Sequence, residues 1–144
     1  MYCISVIRYI TVFVLIFSEF SLVAQHLPTG AQAAGLGFAT VAFEGNMAVW
    51  GNAAGLSKVR NKKILTGYEN RYGLVEGLHA VQAAYVHPLP KSTLAVSVYR
   101  FGDDLYSQHR LSLTAAQQIG QFRGGLRVSQ HQYSMEGADT RFAL

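Results

Sequence analysis

The sequence predicts an all-β protein whose mature part is an antiparallel β-meander. Three observations carry the prediction. Tyr and Phe occur eight times each and Gly fourteen times among 144 residues, while Pro is confined to positions 28, 88 and 90, a composition suited to long antiparallel strands. Apolar and polar residues alternate with period two over much of the chain after residue 62. No stretch after residue 58 keeps a helical period long enough to compete.

Residues 1–25 read as a signal peptide. Arg8 supplies a positive charge, Tyr9 to Phe17 an apolar core, and Ser18, Glu19 and Ser21 a more polar end. The apolar run covers about 9 residues, whereas a membrane-spanning helix needs roughly 20. Cleavage is expected after Ala24 or Gln25. Cys3 is the one cysteine and lies in the part removed, so the mature chain is expected to have no disulfide, no thiolate catalyst and no cysteine metal site. Stability must come from packing and backbone pairing.

Residues 26–61 form the next unit. From Gly30 to Ser57 the chain is rich in Gly, Ala and Asn, nearly free of charge, and studded with single large apolar residues, Phe38, Phe43 and Trp50. A solvated linker would be polar and charged. This segment is built instead to lie against other backbone, with Gly35, Gly37, Gly51 and Gly55 allowing turns and close approach. Asn46 and Asn52 are suited to satisfying backbone groups that irregular structure leaves open. One short strand is expected over 38–44.

Residues 62–144 read as strands. From Tyr106 to Ala116 one face carries Gln108, Arg110, Ser112 and Thr114, the other His109, Leu111, Leu113 and Ala115. After a turn at 118–120, Arg123, Arg127, Ser129 and His131 alternate with Phe122, Leu126 and Val128. That is a hairpin with one polar and one apolar face. Residues 63–73 alternate likewise, with Ile64, Thr66, Tyr68 and Tyr72 opposite Lys63, Glu69 and Arg71. A less regular strand over 74–87 ends at Pro88-Leu89-Pro90; another spans 92–101 and ends at Gly102-Asp103-Asp104. A sixth is expected to begin at Thr140.

The alternation fits a soluble sheet or the wall of an outer-membrane β-barrel. Soluble strands average about 5–6 residues, whereas membrane strands need about 9–11. The segments 63–73, 105–117 and 121–134 belong to the longer class. Tyr68, Tyr72, Tyr85, Tyr99, Phe101, Tyr106, Phe122 and Tyr133 lie near strand ends, as interfacial girdles require. The barrel is therefore the preferred architecture, with Arg110, Arg123, Arg127 and His131 as candidate lumen-facing residues. The smallest membrane barrel needs 8 strands, so these six or so are expected to be part of an incomplete barrel, from a longer protein or a truncated reading frame. A soluble exported β-sheet binding module is the alternative.

The run Gly30-Ala31-Gln32-Ala33-Ala34-Gly35-Leu36-Gly37, a strand-like stretch, and then Ala48-Val49-Trp50-Gly51-Asn52-Ala53-Ala54-Gly55-Leu56 resemble the N-terminus of a barrel family. The resemblance is to the PorV/PorQ-type outer-membrane proteins of Bacteroidetes, themselves similar to FadL fatty-acid transporters. Family members carry Arg where this chain has Gln32 and Pro where it has Ala53. The resemblance implies a barrel whose N-terminal segment tucks into the lumen as a plug, with Gly35, Gly37, Trp50, Asn52 and Gly55 in it. It also implies transport of apolar solutes, or an accessory part in protein secretion of the type IX kind. The partners so implied are outer-membrane lipid and either an apolar ligand or secretion-system components.

No enzyme is expected. No Ser sits in a G-x-S-x-G elbow, and the five histidines lack metal-ligand spacing such as H-E-x-x-H. Gly35-x-Gly37 is followed neither by the third Gly of a dinucleotide fingerprint nor by Lys-Ser/Thr. No cofactor or metal is expected. The net charge of +4 is dispersed, with its densest cluster at Lys58, Arg60, Lys62 and Lys63. In an exported chain that cluster reads as a solvated or headgroup-facing edge, not a nucleic-acid surface.

Overall fold

A computed structural model describes residues 30–70, 73 and 78–143; the predicted signal peptide lies outside them. Among the described residues two short helices, α1 (Ala31–Gly35) and α2 (Ala48–Gly51), and a 3-10 turn (Ala53–Lys58) precede six strands. These are β1 (Lys63–Asn70), β2 (His79–Pro88), β3 (Ser92–Gly102), β4 (Tyr106–Ile119), β5 (Phe122–Met135) and β6 (Ala138–Ala143). They form one antiparallel sheet in sequence order. The fold is an all-β meander. Its sheet is open, with β1 and β6 at the edges.

The connections follow from local chemistry. Gly120, at φ 59°, takes the first central position of a two-residue loop that pairs Ile119 with Phe122, so β4 runs further than the expected turn at 118–120. The left-handed first position matches the twist of the flanking strands. At the β3–β4 corner, Asp103 Oδ1 accepts the N–H groups of Leu105 and Tyr106 at 3.0 and 2.9 Å, an Asx turn. Strand β6 starts at Ala138, earlier than expected, and pairs with β5. Strand β2 begins at His79; the expected strand over 74–87 otherwise falls on residues outside those described.

The strand expected over 38–44 does not form. Gly37 and Phe38 are both left-handed, at φ 58° and 64°, which breaks an extended chain. The segment folds as successive turns, with Thr40 N–H donating to Phe38 and Phe43 N–H donating to Thr40. Thr40 is buried and Val41 projects outward.

The polarity of the two sheet faces is inverted relative to a soluble sheet. The covered face carries Gln82, Thr93, Ser97, Arg110, Ser112 and Thr114, all buried, among small residues Ala80, Ala84, Ala95 and Ala116. Residues 40–59 lie on it, and Trp50, Val49, Leu56 and Val59 complete the core against Ala84, Val86, Ala95 and Ala116. The opposite face is apolar and open. One register row there, Ile64–Tyr85–Val96–Leu113–Val128, crosses five strands. At about 4.8 Å per strand it is about 19 Å long. Leu94, Val98, Leu111 and Leu126 flank it, and all are exposed.

Candidate functional site

The site is the covered face and the segment seated on it. Gly125 makes the close fit possible, because a Cβ there would stand 2.5 Å from the Ala53 carbonyl carbon and the Ala54 nitrogen. Beside it, Arg127 reaches into the seated segment. Its guanidinium donates to the carbonyls of Ala48, Val49 and Trp50 at 3.3, 2.7 and 3.1 Å, and its Nε to Thr114 Oγ1 at 3.2 Å. A helix leaves its last carbonyls unpaired, and a fork of five donors can satisfy several at once. Arg127 therefore closes the C-terminal end of α2.

A second anchor is charged. Arg123 pairs with Glu44, and Lys58 Nζ lies 3.6 Å from the same carboxylate. The hydrogen bond from Arg123, with the two positive charges, holds the Glu44 carboxyl below its ordinary range. Gly30 N–H donates to Glu69 Oε2 at 3.0 Å, fixing the beginning of the described chain to β1.

Toward the other end of the face lies a polar, aromatic zone. Arg110, 8% exposed, sits over the Tyr99 ring, its Cζ 5.0 Å from the centroid. Arg110 and His131 are opposed across β4 and β5. His131 stacks on Tyr133 at 6.2 Å between centroids, and its Nδ1 is buried with no hydrogen-bond partner. Gln108 Nε2 donates to Tyr133 Oη at 3.4 Å. The four residues expected on the lumen side, Arg110, Arg123, Arg127 and His131, thus share one face. They divide into an anchoring pair and an open pair.

The plug-like residues divide too. Trp50 is buried at the centre of the core. Asn52 Nδ2 donates to the Phe43 carbonyl at 3.0 Å. A Cβ on Gly55 would lie 2.0 Å from the same oxygen. Gly37 makes its left-handed turn. Gly35 does neither, since its φ is not positive and nothing lies within 4 Å of a Cβ there; α1 simply ends at it. Asn46 acts through its main chain, its carbonyl accepting the Val49 N–H.

The expected aromatic girdle is also corrected. Tyr68, Tyr85 and Phe122 do lie on the open face. Tyr99, Phe101 and Tyr133 lie on the covered face, because they are register partners of Arg110 and Gln108, and Tyr106 shares that parity. Tyr72 falls outside the described residues. Sequence reasoning missed Gly125 and Glu44. The first had a signal, a Gly-Gly pair inside a strand, which marks close backbone approach.

At the end of the sheet where β1 begins and the β2–β3 and β4–β5 turns lie, Arg60 and Lys91 border a cleft of about 480 Å³. Among the described residues no group of three or more His, Cys, Asp or Glu could hold a metal ion, and no helix is long and apolar enough to cross a membrane, which leaves crossing by strands open. No family model, curated protein or solved structure matches the chain.

Proposed function

We propose that the chain supplies six strands of an outer-membrane β-barrel wall, with residues 40–59 as a plug on the lumen side. The inverted polarity of the sheet carries this reading. Burying Arg110, Ser112 and Thr114 while exposing Leu111, Leu113, Leu126 and Val128 is costly in water and favourable in lipid. Soluble monomers rarely expose an apolar patch beyond a few hundred Å². The strands β2 to β5 contain 10, 11, 14 and 14 residues, enough for a tilted crossing of about 9–11.

Closure needs strands beyond these six, because an open edge in hydrocarbon leaves amides unpaired at several kcal/mol each. Further strands or further copies would supply them. The resemblance to PorV/PorQ-type and FadL-like barrels supports a role either in transport of apolar solutes or as an accessory of protein secretion. A plug held by Arg127 and Glu44 is compatible with either. The partner in each case is outer-membrane lipid.

Two measurements test the proposal. Membranes from cells expressing the chain are floated on a density gradient, and gel migration is compared before and after boiling. Co-flotation with outer membrane and heat-modifiable migration are expected. Recovery as a soluble periplasmic monomer would overturn the proposal in favour of a soluble binding module.

A further inference from the structure

Among the described residues, Arg110 is the one charged residue of the buried polar groups of the sheet, and neither ion pair found there offsets it. Glu44 is held by Arg123 and Lys58, Asp103 by two amides, and Glu69 bonds Gly30. Among the described residues the guanidinium has a cation–π contact with Tyr99 but no hydrogen-bond acceptor and no ion pair. Such a group is costly unless paired. A guanidinium fork matches two oxygens of a carboxylate or phosphate. Directly across the register, His131 Nδ1 is buried without a hydrogen-bond partner, whereas no Arg110 nitrogen is a fully buried unpaired atom. Opposed residues on one face stand about 5 Å apart at Cβ, so one small group can touch both.

We propose that Arg110 and His131 form an oxoanion-binding site on the lumen side, taking a carboxylate or phosphate group. The two oxygens lie on the Arg110 fork, and His131, in the tautomer protonated at Nδ1, donates a further hydrogen bond. Tyr99 and Tyr133 form the aromatic walls. The anion is either free or the head of an amphipathic solute. The term lumen side rests on the barrel reading; the pairing of the anion with Arg110 and His131 does not.

The chain, refolded in neutral detergent, is titrated by calorimetry with sodium phosphate and sodium acetate at matched ionic strength. Parallel arms use octyl phosphate and octanoate below their micellar range. Wild-type chain is expected to bind at least one of these anions. Arg110→Gln is expected to weaken binding about tenfold or more, the worth of one charge-assisted hydrogen bond, and His131→Gln to weaken it less. Arg100→Gln removes the same charge from the open face and is expected to bind as wild type. Should Arg110→Gln fail to refold, Arg110→Lys keeps the charge but loses the fork, and is again expected to bind more weakly. Tighter binding of the tailed anions identifies a solute head; equal binding identifies a free anion. Both support the site. No binding by wild type, or equal loss in Arg100→Gln and Arg110→Gln, overturns it. Flotation and heat-modifiability are read separately, so failure here leaves the barrel reading standing, and its failure leaves the anion site standing.

Discussion

Gly125 and Ala53 meet backbone to backbone: a Cβ on Gly125 would stand 2.5 Å from the Ala53 carbonyl carbon and 2.8 Å from its Cβ. The glycine before it, Gly124, faces the open side and has nothing within 4 Å. Adjacent residues of one strand therefore answer the same substitution oppositely. Gly125→Ala should lift the plug or distort β5, at a cost of about 1–3 kcal/mol for overpacking. Gly124→Ala should be neutral or slightly stabilising, because it restricts the unfolded chain. Trp50 is the one tryptophan and is buried in the core between the seated segment and the sheet, so denaturant unfolding of detergent-refolded chain followed by its fluorescence checks both. Equal midpoints for the two variants would contradict the seating of residues 53 and 54 on the sheet.

Arg127 should matter more to the plug than Arg123. Arg127→Met leaves the carbonyls of Ala48, Val49 and Trp50 without their shared donor, and charge-assisted bonds are worth about 1.5–3 kcal/mol each before solvent replaces them. A net loss of about 2–4 kcal/mol is expected. Arg127→Lys should recover only part, since a single ammonium cannot span three carbonyls as a fork does. Arg123→Gln removes an exposed ion pair, which solvent screens and which contributes little to stability. Acrylamide quenching of Trp50 should rank the variants in that order.

Acid should loosen the plug through Glu44. Its carboxyl is held below its ordinary value of 4.5, first by the hydrogen bond from Arg123 and then by the charges of Arg123 and Lys58. A depressed carboxylate stabilises the folded state fully above the ordinary value, and that contribution is lost as pH falls through the lower folded value. Between pH 7 and 5 this pair should therefore contribute no change, with loss setting in below 4.5. The difference between wild type and Glu44→Gln in Trp50 quenching isolates it from other carboxylates. A pH-independent difference would show that the ion pair does not hold the plug.

The hairpin β4–β5 was legible because its alternation has period two and its turn carries Gly120. The same parity places Arg110, Arg123, Arg127 and His131 on one face. The nature of the anchors was not legible. Arg127 meets carbonyls 77 to 79 residues away, and Glu44 meets Arg123 at a separation of 79, pairings that no local pattern encodes. The false strand at 38–44 came from apolar residues whose backbone is set by left-handed Gly37 and Phe38. The misplaced tyrosines came from reading position along a strand without parity; Tyr99 and Tyr133 share the parity of their polar register neighbours and so face inward.

The open face gives the sharpest contrast between lipid and water. Leu113 and Leu126 are 60% and 69% exposed and lie on neighbouring strands within the apolar rows. In water, replacing either with Lys would improve solubility and leave stability nearly unchanged, because surface substitutions usually fall within about 0.5 kcal/mol. In a bilayer the same charge at the midplane costs about 2–4 kcal/mol. Leu113→Lys should therefore reduce the fraction that inserts into lipid vesicles and becomes heat-modifiable. Ser112→Ala, one residue away on the covered face, removes only the bond between Ser112 and Ser129 and should insert normally. Undiminished insertion of Leu113→Lys would mean that this face does not meet lipid.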